Sequence, residues 1–236
     1  MTHLPLPLVI VLVAAITFGL GWALQTVMLN RMIGPNPVPA MVATMGLSII
    51  IRNALVATFG ADIRAIDIGA LQNEGVSIFG VSIGVLPILI FLAAVALFAA
   101  MHLLLTRTTL GRAFRAAADD FEILETLGFN RRQVYAVAMG IAVTLSAVAG
   151  LLLAIRRSYS PYSGVERLLI SFEVVIIGGI GSLRGSFFAG LFLGVVQLVG
   201  LKISPNSGPL FGHLAFFIIL LAKQADLPAL MRWRRT

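Results

Sequence analysis

RTTLGRAFRAAADDFEILETLGFNRR, residues 107–132, is the long charged segment that lies between apolar, membrane-like stretches of this chain. It sets Arg107, Arg112, Arg115, Arg131 and Arg132 beside Asp119, Asp120, Glu122 and Glu125. On a helix, Arg112, Arg115, Asp119 and Glu122 advance by three, four and three residues and therefore share one face. Phe114, Ala117, Phe121 and Leu124 make the same steps on the opposite face. Gly128 then permits a turn that a side chain with a Cβ resists. The segment reads as a short amphipathic helix, a glycine turn and the foot of the next membrane helix. Two roles fit this pattern about equally. The helix is a docking element for a partner, or it is a solvated connector along the membrane surface.

Composition places the chain in a membrane. Hydrophobic residues make up 59% of the 236 residues and charged residues 11%, with a mean hydropathy of +1.00. Soluble domains carry about a quarter charged residues, so the polar surface needed in water is missing. The length suits one transmembrane domain over 1–236, with 107–132 as its cytoplasmic loop. The formal net charge of +7 does not point to nucleic acid. The basic residues sit in short loops, as the positive-inside rule expects. With no cysteine there is no disulfide framework and no thiolate metal site. The start lacks the basic flank of a signal peptide.

Spans follow from runs of roughly 20 apolar residues. Leu4 to Asn30 is the first, with Arg31 marking a cytoplasmic exit. Val38 to about Gly60 is the second, and Arg52 with Asn53 makes it either broken or turned toward a polar interior. Residues 61–75 leave room for irregular or strand structure outside the bilayer. Gly75 to Thr106 contains a third span, which Pro87 kinks or starts. Gln133 to Ile155 is a fourth, with Gly140, Ser146, Ala147 and Gly150 as a small-residue face. Leu168 to Ile180 is too short for a relaxed span, Gly185 to Leu201 is long enough, and Leu210 to Ala222 is a last apolar run. The expected fold is all-α, a polytopic transmembrane helical bundle with about six to seven crossings including broken or short helices. Residues 107–132 and the basic tail then lie inside, as does Arg184. Arg156 and Arg157 fall outside, against the usual charge bias.

Within the apolar runs a few residues attract attention as a substrate path. GGIGSLRG, residues 178–185, offers Gly178, Gly179 and Gly181. Glycines of this density either line a cavity where helix N–H groups hold a carboxylate, or form a tight turn between packed helices; the turn is favoured. Glu173 is an acid in an apolar run. It meets a substrate ammonium or pairs with Arg52, Arg167 or Arg184, and Arg52 carries the same ambiguity. His102 and His213 are isolated and read as packed or interfacial residues, with no metal-ligand spacing. There is no phosphate-binding loop, no H-E-x-x-H and no local nucleophile signature. No catalytic residue, metal or cofactor is expected.

The charged segment resembles the cytoplasmic loop of ABC importer permeases, which runs Glu-Ala-Ala, three residues, then Gly. Glu122 stands six residues before Gly128, as in that motif, while Ile123 and Leu124 replace the alanines and enlarge the apolar face. TLGRAFRAAADD and LGFNRRQVYAVA, together with MVATMGLSIIIRNALVATFG and VVIIGGIGSLRGSFFAGLFLGVV, resemble the permeases for branched-chain amino acids. The resemblance covers nearly the whole chain in order and is nearest to the smaller permease subunit of the Leu/Ile/Val uptake system. That family begins with a further apolar helix and an Asn- and His-containing stretch, which nothing here matches; a late start or a shortened relative is the expectation.

The resemblance implies a bacterial inner-membrane permease that works with a second permease subunit, two cytoplasmic ABC ATPases and a periplasmic substrate-binding protein. It moves the balance toward docking. Glu122 and Gly128 become the leading coupling residues, with Arg115, Asp119, Phe121 and Leu124 as helix-face contacts. Other readings are a urea or short-chain amide permease of the same superfamily, a non-transporting membrane scaffold, and a membrane enzyme whose site forms only in the fold.

Overall fold

The computed structural model describes residues 6–34, 36, 38–66, 74–78, 81–119, 128–205 and 207–224. Its helices are α1 (Leu6–Val27), α2 (Val38–Phe59), α3 (Val85–Arg107), α4 (Thr109–Asp119), α5 (Arg131–Arg156), α6 (Ser163–Gly178), α7 (Leu183–Ile203) and α8 (Gly208–Gln224). Two short strands, β1 (Gly75–Ile78) and β2 (Val81–Gly84), precede α3. Five helical stretches are long and apolar enough to cross a membrane: Leu8–Arg31, Val38–Phe59, Val85–Arg107, Arg131–Arg156 and Leu183–Ile203. The remaining two apolar helices, α6 with 16 residues and α8 with 17, rise only about 25 Å at 1.5 Å per residue. That is short of a hydrocarbon core of about 30 Å. Full and short helices together make the expected polytopic bundle.

Two differences from the sequence reading have simple causes. Strand structure falls at Gly75–Ile78 and Val81–Gly84, C-terminal to most of the loop where it was allowed for. There Val-Ser-Ile recurs in both strands with a period of two, and the antiparallel register pairs Val76 with Ile83 and Ser77 with Ser82. The apolar stretch from Gly75 is thus a hairpin followed by a helix, and Pro87 sits in the first turn of α3, where a missing N–H costs least. The second difference is α2. It is continuous from Val38 to Phe59 despite Arg52 and Asn53, and the Asn53 amide is absorbed by the Ile49 carbonyl at 2.8 Å.

The chain divides into two compact units, residues 1–161 and 162–236. The first is organised by the antiparallel pair α1–α5. Glycines let the two backbones close: a Cβ on Gly21 would stand 2.9 Å from the Met139 carbonyl oxygen, and one on Gly140 would strike the Phe18 ring. Of the four small residues expected to line a packing face of α5, Gly140 is buried there, whereas Gly150 is exposed and faces open space. The Thr144 hydroxyl donates to the Ala14 carbonyl at 3.4 Å and to Gly140 at 2.8 Å. Val134, Ala136, Val148, Leu152 and Ile155 of α5 are buried. At one end of the pair Asn30 reaches the Arg132 carbonyl at 3.4 Å. At the other end Arg64 and Tyr159 exchange two backbone hydrogen bonds of 2.8 Å, tying the loop after α2 to the loop after α5. Arg31, Arg107, Arg131 and Arg132 therefore gather at the same end of this unit.

In the second unit α7 packs on both neighbours. Leu193 and Ala189 are buried, and Gly200 lies so close to Phe211 of α8 that a Cβ would stand 2.9 Å from the ring. The Ser207 hydroxyl closes the α7–α8 corner by donating to the Gly200 carbonyl at 2.6 Å.

Candidate functional site

The charged segment begins at a tight corner. Thr108 is extended and separates α3 from α4. Its hydroxyl donates to the Leu104 carbonyl at 2.6 Å and accepts from the Gly111 amide at 3.1 Å, so one side chain finishes one helix and starts the next. The Arg115 guanidinium reaches back to the Leu105 carbonyl, placing a cation at the C-terminal end of α3, where the helix dipole favours it. Gly111 is buried at the same corner, and a Cβ there would overlap the Leu104 and Leu105 carbonyls. The sequence reading did not single out Gly111 or Thr108, because nothing local distinguishes them from their neighbours.

The faces of α4 separate as the three- and four-residue steps predict. Ala113 is 1% exposed and forms a cluster with Val134, against which Phe114, Ala116, Ala117 and Phe129 pack. Arg112 and Arg115 lie on the exposed side. Over its described turns the apolar face is thus seated on the foot of α5, and it is the basic face that is presented outward. Gly128 has φ +79° with nothing within 4 Å of a Cβ, so conformation rather than space selects glycine. Asn130 then caps α5, its side-chain oxygen accepting from the amides of Arg132 at 3.0 Å and Gln133 at 3.4 Å. Gly128, Phe129, Asn130, Arg131 and Arg132 line an open depression of about 580 Å³ beside the helix. Asp119 ends α4. Its side chain, and Phe121, Glu122 and Leu124 altogether, lie outside the described residues.

The substrate-path residues fall in both units, Arg52 in the first and Glu173, Gly178, Gly179 and Gly181 in the second. Arg52 is half-buried on α2, a helix with no buried residue. Glu173 of α6 is 4% exposed. Its Oε1 meets Nδ1 of His213 on α8, and its Oε2 is buried with no hydrogen-bond partner among the described residues. The acid thus finds a histidine that the sequence reading had set down as a packed or interfacial residue, rather than one of the three arginines considered there. They stand 40 positions apart in the chain, and no local pattern joins the two. Gly178 ends α6, and Gly179 (φ +91°) and Gly181 (φ +83°) turn the chain into α7. Ser182 caps α7 by accepting from the Gly185 amide at 3.1 Å. A Cβ on Gly185 would overlap the Gly178 carbonyl. This is the close helix–turn–helix packing that the sequence favoured. Lys223 of α8 donates to the Ile176 and Ile177 carbonyls at 3.2 and 2.8 Å, covering the end of α6.

Residues 1–223 match the family model described as branched-chain amino acid transport system / permease component. The chain belongs to this family. Among the relatives of this permease chain is the high-affinity branched-chain amino acid transport system permease protein BraD of Pseudomonas aeruginosa. It is 30% identical over 192 residues, 80% of this chain and 62% of the relative. The permease LivH of Salmonella typhimurium is 30% identical over 186 residues, 75% of this chain and 59% of LivH. The autoinducer 2 import system permease protein LsrC of Escherichia coli is 30% identical over 162 residues, 67% of this chain and 44% of LsrC. The permease chain spans about three fifths of the length of BraD and LivH. No solved structure matches it. As a permease-family chain with five helical stretches able to cross a membrane, it is a multi-pass membrane protein.

Proposed function

We propose that this chain is a membrane-spanning permease subunit of an ATP-binding-cassette importer that moves branched-chain amino acids across the bacterial inner membrane. Partner ATPases hydrolyse the ATP, and a second permease and a periplasmic binding protein complete the machine. The observation that carries the reading is the α3–α4 corner. An amphipathic helix is seated by its alanines and Phe114 on the foot of α5 and presents Arg112 and Arg115 outward, in a chain of the branched-chain amino acid permease family. A helix held by its first turn to α3 and by its apolar face to the foot of α5 transmits force, whereas a loose surface helix does not. Glu122 and Gly128 fix the docked register. Arg115, Asp119, Phe121 and Leu124 complete the docking surface, and their basic and acidic groups steer the encounter. Residues 107–132 face the cytoplasm, which puts the basic end of the first unit inside. Arg52, Glu173, Gly178, Gly179 and Gly181 are kept as substrate-path residues of the single permease domain 1–236.

The relatives named for branched-chain amino acids favour leucine, isoleucine or valine over urea. The experiment is ATP-dependent uptake of radiolabelled leucine, with urea in parallel, in proteoliposomes holding this chain, its partner permease, the ATPases and the binding protein. Leucine is expected to accumulate and urea not. Urea uptake alone keeps the architecture and moves the substrate; uptake of neither, with no ATPase bound, contradicts the importer reading.

A further inference from the structure

The end of the first unit opposite the charged segment holds an open-sided cavity of about 360 Å³, lined by Leu55, Phe59, Asp62, Arg64, Tyr159 and Pro161 among others. Its walls are built by the chain, not left over between loops. Gly60 (φ +81°) ends α2, its amide bonding the Val56 carbonyl at 2.9 Å, and turns the backbone out of the helix. Two residues on comes Asp62, and two further Arg64, which is locked to Tyr159 by the pair of 2.8 Å backbone bonds. The Arg64 guanidinium returns to the Phe59 carbonyl and lies 6.0 Å from the Phe59 ring centroid. The cation is thereby held beside the cavity by the helix end and the ring. One of its N–H groups is used, and a guanidinium carries five. Asp62 has no hydrogen bond or ion pair among the described residues, although a guanidinium lies two residues away.

We propose that this cavity is a binding site for a small zwitterion with an apolar side chain, a free aliphatic amino acid. The ammonium is held by Asp62, the carboxylate by Arg64, and the aliphatic group by Leu55, Phe59 and Pro161. The lining supplies an anion acceptor, a cation acceptor and apolar side chains together, the three features that such a ligand presents. A purely anionic or purely cationic ligand leaves one of the two charges facing its own sign or nothing. A cavity of this volume is of the size that small-molecule sites occupy. The site belongs to the permease itself and not to the binding protein. Naming leucine as its ligand rests on the importer reading; the demand for a zwitterion rests on the cavity. A phosphatidylethanolamine headgroup shares the ammonium-plus-anion chemistry, and the test separates it from a free amino acid.

The chain is purified with its partner permease, without binding protein, in nanodiscs of phosphatidylglycerol, and binding of radiolabelled leucine is measured. Saturable binding is expected, weakened about five- to tenfold by Asp62→Asn, the range for one partly exposed charge-assisted bond. Unlabelled leucine competes, whereas 4-methylpentanoate and isoamylamine, each lacking one charged end, compete far less. Arg64 also closes the end of α2, so Asp62→Asn is the deciding variant, with its thermal transition checked against the parent. The proposal is overturned if wild type binds no leucine, if Asp62→Asn binds as well as wild type, or if either one-charged analogue competes equally. It is also overturned if phosphatidylethanolamine nanodiscs abolish binding, which makes the occupant lipid. Leucine uptake by the intact assembly without Asp62-dependent binding removes the site and leaves the importer. Asp62-dependent leucine binding without leucine uptake keeps the site and removes the importer.

Discussion

Glu122→Lys is expected to reduce ATP-dependent leucine uptake at least about 30-fold while the chain still inserts and still pairs with its partner permease. In the importer account the residue sits in the docked segment, six positions before Gly128. Reversing one member of a docked charge pair leaves the partner charge desolvated against its own sign. Such losses run at roughly 2–5 kcal/mol, and about 1.4 kcal/mol is a factor of ten. The defect should appear as ATPase that no longer co-purifies, or as ATP hydrolysis that no longer tracks substrate. Full uptake by Glu122→Lys would show that this residue is not in the interface. Loss of membrane insertion would show a folding role instead.

The second large effect belongs to the interior of the second unit. Glu173 is buried and meets His213 with one oxygen, while the other has no hydrogen-bond partner among the described residues. Replacing His213 by leucine strips the carboxylate of its last partner. An unpaired buried charge destabilises by about 3–5 kcal/mol. The 33% exposure of the His213 side chain brings the expected loss to the order of 2 kcal/mol. Glu173→Leu combined with His213→Leu replaces the pair by apolar contact between α6 and α8. That double variant is expected to be more stable than His213→Leu alone. The measurement is thermal unfolding of the detergent-purified chain in a double-mutant cycle. Additive effects of the two changes would mean that the pair is not coupled.

The spans were legible because bilayer thickness writes itself into sequence as apolar runs of a fixed length. Charged residues such as Arg31, Arg107 and Arg131 close those runs where the helices end. The faces of α4 were legible for a related reason, since three- and four-residue steps map directly onto a helix surface. What covers a face was not. Ala113 and Phe114 find Val134 and Phe129 through a turn at Gly128 whose geometry no periodicity encodes. The hairpin at 75–84 was absorbed into an apolar run because Val and Ile serve a strand and a membrane helix equally well in hydropathy. Tertiary meetings were the least readable. Phe18 against Gly140, Arg64 against Tyr159 and Glu173 against His213 join residues far apart in the chain. Glu173 announced itself as an acid in an apolar run, but its partner carried no signal beyond being a histidine in another.

In the importer proposed above, an ATPase docks on the basic face of α4. The chain has no cysteine, so Arg112→Cys supplies one thiol on an exposed position of that face against a clean background. The decisive measurement is crosslinking of that thiol in the assembled transporter with a short bifunctional reagent. Docking predicts a permease–ATPase product whose yield changes when ATP is bound and hydrolysed. A thiol that reacts freely with a soluble maleimide in the full assembly, and yields no ATPase crosslink, would contradict it.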